Sequence, residues 1–255
     1  MGLSRMGFGT SRATLAPKGV AAWSAPAGLE AQWLFNNDAT DNSGNSRDWT
    51  VNGTLTYDGS DKQLGSHSIV FDGNSANNLE IVDASAGWFD TLMGATTACT
   101  IEFWIKVPSM SEPSNQELFT KYTTGGPQGG PWIKFVRNDG AYGGIVMTAY
   151  NNDSDTNTSS IRTSTVTAGN WYHYACVRAT DGTLTSYIGG SADTTELSGS
   201  PYADNDCSST MDMHFGKRHN SSSNIFAGKL DCCRVWSVAR SEAQIAANKD
   251  TEEPS

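Results

Sequence analysis

Oxygen-bearing side chains crowd one short stretch of the sequence, where Asp38, Thr40, Asp41, Asn42, Ser43 and Asn45 surround Gly44. Hard cations such as calcium take carboxylate and carbonyl oxygens from a loop that can curl around them. Asp41 and Asn45 are therefore candidate calcium ligands. The same residue types also close turns through bonds to their own backbone, and that reading stays open beside the first. A second set of residues could hold sugar. Sugar rings stack on exposed aromatic faces while a few placed polar groups bond the hydroxyls, the general form of a small-ligand site. Trp132, Tyr142, Tyr150 and Tyr202 lie in or beside loops and are the candidate glycan-binding residues. Ordinary packing at the rim is the alternative for each.

Hydrolytic and transfer chemistry finds no matching pattern. Glycoside hydrolysis needs two carboxylates across one bond, but Glu80 and Asp83 stand three apart in a strand-like run and fall on opposite faces. There is no Gly-x-Ser-x-Gly elbow and no His-Glu-x-x-His motif. The glycines at 125, 126, 129 and 130 form a surface loop without the Lys-Ser/Thr pair of a phosphate-binding loop. No catalytic residue is assigned, and the chain reads as a non-enzyme.

Behind these residues stands a polar, turn-rich body of 255 residues with 26 Gly and only 17% charged residues. That length suits one large all-β domain. A net charge of -10 argues against nucleic acid as a partner, because binding the phosphate backbone requires clustered Lys and Arg. No run approaches the roughly 18 apolar residues of a membrane span. The N-terminus lacks the unbroken hydrophobic region of a secretion signal. The five cysteines, Cys99, Cys176, Cys207, Cys232 and Cys233, are odd in number and follow no metal spacing. They read as buried, reduced thiols behaving like small hydrophobes.

The elements that position the candidate residues are short. Strand-like runs cover residues 31–35, 68–71, 79–82, 100–107, 117–122, 132–137, 144–150, 171–178, 184–188, 211–216 and 229–236, separated by Gly, Asn, Asp and Ser turns. Many short strands with regular turn signals predict a two-sheet sandwich. In residues 100–107, Ile101, Phe103, Ile105 and Val107 alternate with Glu102, Trp104 and Lys106, a period of two. His173 alternates with Ala175 and Val177 and reads as a hydrogen-bonded core histidine. Residues 151–160 read as a polar loop. Only residues 241–249 look helical, with Ser241 as N-cap and Gln244 three residues on. Residues 1–28 carry Arg5, Arg12 and Lys18 and no acid, a basic arm on an acidic body.

Four stretches in order resemble the laminin-G-like domains of the concanavalin A-like superfamily. They are residues 33–35 with the Asp41–Asn45 loop; residues 65–73, ending in Phe71, Asp72 and Gly73; residues 100–105 with 171–190, including the Asp181–Gly182 turn; and residues 226–236, with Ser241 opening a terminal helix. The resemblance implies an antiparallel jelly-roll sandwich over residues 29–255 with a short C-terminal helix. It also implies an ion where the opening loop meets the last strand, which adds Asp231 to Asp41 and Asn45. Laminarinase-like relatives carry a Glu-x-Asp-x-x-Glu strand that this sequence lacks. Cys232 and Cys233 stand where the family tends to have an acid and an aliphatic residue, so no role of that acid carries over.

Together these readings point to a structural or binding protein. The expected role is a virion surface protein, a head-decoration or fibre protein of a tailed phage. Its arm would dock on neighbouring subunits through Arg5, Met6, Phe8, Arg12, Leu15, Lys18 and Trp23, and its sandwich would face outward, oligomeric within the particle. The alternative is a free, extracellular, calcium-dependent carbohydrate-binding module with cell-surface glycan as partner. A glycoside hydrolase or lyase comes third.

Overall fold

Alternating apolar side chains build two antiparallel sheets that face each other. The computed structural model describes residues 23–107, 115–122, 129–138, 142–151, 154–164, 166–193, 196–198 and 206–254. Its strands are β1 Leu29–Trp33, β2 Thr50–Asn52, β3 Thr56–Asp58, β4 Ser68–Asp72, β5 Asn78–Ile81, β6 Cys99–Lys106, β7 Asn115–Thr120 and β8 Gly130–Asn138. Then follow β9 Tyr142–Asn151, β10 Ser154–Arg162, β11 Trp171–Arg178, β12 Leu184–Ile188, β13 Ser191–Ala192, β14 Glu196–Ser198, β15 Met213–Phe215 and β16 Ala227–Trp236. Among the described residues there are also two helices, α1 Asp83–Met93 and α2 Glu242–Asn248. The first sheet runs β13-β12-β11-β6-β16-β4-β3, with β1 also on β16; the second runs β14-β10-β9-β8-β7-β15-β5-β2. This is the two-sheet sandwich expected from the sequence.

The core lies between the sheets. Ile101, Phe103, Ile105, Tyr174, Leu230 and Val235 from the first meet Phe119, Ile133, Phe135, Ile145, Met147 and Phe215 from the second, all at most 1% exposed. Phe215 touches the rings of Phe35, Trp49, Phe103 and Phe119 at centroid separations of 5.0 to 6.5 Å. All five cysteines are buried, and none is in a disulfide. Cys232 takes φ 41° in a bulge where the β16–β6 register slips between Asp231 and Arg234.

The outer face of the first sheet is sealed by the C-terminal segment. Ser241 caps α2 with Gln244 in a reciprocal capping box, as expected, and Ile245 packs on Ala175 and Val177. Under this cover the fully buried Glu102 accepts from Trp236 Nε1 at 2.9 Å and pairs with Arg240 at 3.2 Å and Arg234 at 3.7 Å. Arg234 donates to the Asn248 carbonyl at 3.0 Å, and Trp104 Nε1 to that of Lys249 at 2.8 Å. His173 is 1% exposed, with Nε2 3.6 Å from Glu102.

Two elements correct the sequence reading. Helix α1 was not expected: it is short, contains Gly87, and Val82 before it offers no side-chain cap. It forms because Ala86, Phe89, Leu92 and Met93 reach the core. Its acids Asp83 and Asp90, two turns apart, both grip the fully buried Lys121 at 2.7 and 3.1 Å. Strand β10 occupies the stretch read as a polar loop. It is held by pairing with β9 and β14, and Ile161 anchors it in the core.

Candidate functional site

The second sheet turns a polar and aromatic face outward. One row of directly opposed residues crosses seven of its strands: Ser160, Thr148, Trp132, Thr120, His214, Glu80 and Thr50. Their chain neighbours Ile161, Met147, Ile133, Phe119, Phe215 and Leu79 point into the core, as a period of two requires. Thr148 and Ser160 hydroxyls meet at 3.2 Å across the row.

Around Trp132 of this row three rings gather. Tyr122 stacks on Tyr150 at 4.1 Å and 12° and lies 5.5 Å and 19° from Trp132, while Trp132 and Tyr150 are 6.0 Å apart. Such offset-stacked pairs contribute about 0.5–1.5 kcal/mol beyond area burial. Trp132 and Tyr150 are half-buried, and Tyr122 is buried. Gly130, directly opposite Tyr150, takes φ 131°, and a Cβ there would overlap the Lys121 carbonyl oxygen. Only glycine lets the chain after β7 close against β8 and bring Tyr122 beneath the other rings.

Charged groups surround Trp132. Its indole N–H donates to Glu117 Oε2, the Lys134 ammonium sits 3.7 Å from its ring centroid, and the Arg218 guanidinium sits 5.6 Å away. Arg218 also lies 3.9 Å from Glu117. Burial pushes the Glu117 carboxyl up, against the lowering effects of Trp132, Arg218 and Lys134. Burial likewise lowers Lys134, although Glu117 opposes it. The result is an aromatic slab with two partly accessible cations at its rim, held by a carboxylate buried beneath, able to pack against a flat apolar surface and bond hydroxyls at its edge.

Sequence-predicted residues fall as follows. Trp132 and Tyr150 come together in this slab. Tyr142 lies on β9 opposite Asn138, and its side chain is outside the described residues, as is all of Tyr202. Asp41 Oδ1 accepts from the backbone of Gln32 and Ser43 at 3.0 and 2.8 Å. Its Oδ2 accepts from Ser43 Oγ and the Arg47 amide at 2.9 and 3.0 Å. Asn45 Nδ2 donates to the Glu30 carbonyl at 2.9 Å. Asp231 is held elsewhere, its Oδ2 accepting from Gln63 and Leu64 amides at 2.7 and 2.9 Å while Oδ1 is buried without a partner. Burial raises its carboxyl to about 6. Arg5, Met6, Phe8, Arg12, Leu15 and Lys18 lie outside the described residues, and Trp23 is half-buried.

Tyr122, Glu117, Lys134 and Arg218 were missed. Lys134 follows Trp132 by two and shares its face, a legible signal. Tyr122, Glu117 and Arg218 arrive through pairing and turns that only the fold supplies. Among the described residues one group of three His, Cys, Asp or Glu side chains brings ligand atoms within 4.8 Å of one another: Asp212, His214 and His219.

A family model described as the concanavalin A-like lectin/glucanases superfamily, of laminin G type, matches residues 72–246. No curated protein sequence matches this one. Among solved structures, domain 4 of AbnA, an extracellular arabinanase from Geobacillus stearothermophilus in complex with arabinotriose, is similar at 20% identity and TM-score 0.61, over 87% of this chain and 98% of that one. The binding domain of botulinum neurotoxin DC in complex with SialylT is similar at 13% identity and TM-score 0.62, over 89% of this chain and 52% of that one. The binding domain of Paraclostridial Mosquitocidal Protein 1 gives 16% and 0.62, over 86% and 51%. This chain thus spans about half of the toxin binding domains, and at these identities the likeness is one of fold.

Proposed function

This chain belongs to the concanavalin A-like lectin/glucanases superfamily, and on that premise we propose that it binds carbohydrate on the outward face of β7, β8 and β9. The observation that carries this reading is the slab of Trp132, Tyr150 and Tyr122 with Lys134 and Arg218 at its rim and Glu117 buried beneath. A sugar ring would pack against the half-exposed edges of Trp132 and Tyr150, while Lys134, Arg218 and the Ser160 hydroxyl orient it. Similar folds in complexes with arabinotriose and SialylT support the class of ligand. A glycan array probed with the native chain and with Trp132→Ala tests it. Retention of a defined set of oligosaccharides, lost in the variant, supports the reading, and equal retention or none by the native chain refutes it.

Calcium at Asp41, Asn45 and Asp231 is proposed alongside. An ion there would have to share Asp41 oxygens that each already accept two bonds from the surrounding backbone and Ser43. Melting lowered by EDTA and restored by calcium supports it; a chelator-insensitive melt leaves these residues as turn closers. Display on a particle through residues 1–28 is a further proposal, carried by the basic arm on an acidic body. Deletion of the arm that abolishes co-assembly while leaving the melt unchanged would support it, and normal assembly of the truncated chain would contradict it. No helix among the described residues is long and apolar enough to cross a membrane.

A further inference from the structure

Two strands away from Trp132 along the same row, the sheet brings together side chains that the aromatic slab does not use. His214 sits in the middle of β15, opposite Thr120 of β7 and Glu80 of β5. Asp212 precedes it by two, the spacing that puts both side chains on one face of an extended chain. The chain then turns tightly, with the Ser221 amide bonded to the Arg218 carbonyl at 3.1 Å, and His219 comes back over His214 with ring centroids 5.9 Å apart.

We infer that Asp212, His214 and His219 form a binding site for a late first-row divalent cation, zinc above all, on the outward face of the second sheet. Three observations meet here. One ligand atom from each residue already lies within 4.8 Å of the others, and His219 Nδ1 is 3.3 Å from Asp212 Oδ2. Donors bonded at about 2.0–2.1 Å to a tetrahedral ion stand roughly 3.4 Å apart, so one pair is at that separation and the third ligand atom, within 4.8 Å of both, lies near enough for a side-chain adjustment to complete the set. Next, His214 is 2% exposed, yet its Nδ1 has no hydrogen-bond partner. A buried ring nitrogen left without a partner is costly, and a bound ion would satisfy it. Finally, the carboxylate is oriented from behind: Asp212 Oδ1 accepts from the Asp83 amide at 2.8 Å at the start of α1, leaving Oδ2 free to face the histidines. Outer partners of this kind fix a ligand's direction in metal sites.

The donor set chooses the ion. Two imidazole nitrogens and one carboxylate oxygen suit zinc, nickel or copper, whereas calcium and magnesium take oxygen throughout. Three protein ligands leave one position for water or for an oxygen of a bound molecule. Asp212 and His219 keep side-chain exposures of 25% and 20%, so an ion can enter from solvent. Arg218, adjacent in sequence to His219, reaches over Trp132. The site therefore lies on the same face of the sheet as the aromatic slab, but it stands independently of any glycan reading.

The test uses the full chain without a histidine tag, stripped of metal and titrated with zinc in competition with a chromophoric chelator. One equivalent should bind, and cobalt in its place should give the visible absorption of a low-coordinate, nitrogen-ligated ion. His219→Ala, a change at a half-exposed turn, should weaken zinc at least about 10-fold, since even outer partners cost 10–100-fold. Asp212→Asn, which keeps an oxygen for the Asp83 amide, should weaken it as well. His67→Ala and Trp132→Ala should bind zinc like the native chain. Lack of stoichiometric binding, or native affinity in His219→Ala, overturns the site. Loss of glycan retention in Trp132→Ala with zinc binding intact separates the fate of this site from that of the aromatic slab.

Discussion

The two sheets of one sandwich use their outer faces in opposite ways. On the first, a carboxylate with no exposure, Glu102, is closed in by Arg234, Arg240, Trp236 and His173, and the C-terminal segment covers them all. On the second, Glu117 is just as buried, but its partners Trp132, Arg218 and Lys134 remain partly accessible. A charge removed from water requires partners in either place. Where those partners are themselves roofed by helix and tail, the network serves the fold. Where they reach the surface beside stacked rings, the same chemistry is available to a ligand.

That contrast predicts different costs for similar substitutions. Glu102→Ala leaves Arg234 and Arg240 buried without their carboxylate and should cost about 3–5 kcal/mol, read as a large drop in denaturant midpoint. Trp132→Ala should cost much less stability but reduce oligosaccharide affinity about 10-fold or more, the usual weight of a buried aromatic anchor. A Trp132→Ala chain that binds normally would break the comparison.

Acid should also reveal the sealed face. Burial lowers His173 to about 4 from 6.5, opposed by Glu102 and aided by Arg234 and Lys249. The unfolded chain therefore binds the proton more readily, so stability is lost as pH falls from about 6.5 through about 4. The loss amounts to at most about 3–4 kcal/mol at roughly 1.4 kcal/mol per unit of pKa difference. Asp231, raised to about 6 by burial, works the other way, gaining stability as pH falls below 6. Because other groups titrate over the same range, the contribution of His173 is read as a difference: in thermal melts, His173→Gln should lose less stability on acidification than the native chain. An unchanged slope in the variant would assign the acid loss to other groups. The smallest effect belongs to the cap of α2: Ser241→Ala should cost about 1 kcal/mol, visible in the melt and absent from any binding measurement.

Much of the frame was legible in the sequence because side chains alternate. The face of Ile101, Phe103, Ile105 and Val107, the Asp181–Gly182 turn and the Ser241 cap are local patterns, and each stands where it was expected. Helix α1 was hidden because its hold is distant in sequence: Lys121, just after β7, grips Asp83 and Asp90. Strand β10 was hidden because its partners, rather than its composition, extend it. The site was half legible for the same reason. Trp132 and Tyr150 announce themselves as aromatics beside loops, but Tyr122 joins them only because Gly130 lets two strands close. His214 and His219 meet only through a turn after β15. Register across strands is nonlocal, and no window of sequence displays it.

The most direct measurement is hydroxyl-radical footprinting of the native chain with and without the oligosaccharide best retained on the array. Binding at the aromatic slab predicts protection of Trp132 and Tyr150, with Trp104, Tyr187 and the α2 segment on the sealed face unchanged. Protection centred on the first sheet or on the Asp41 loop, with Trp132 labelled equally in both states, would contradict it.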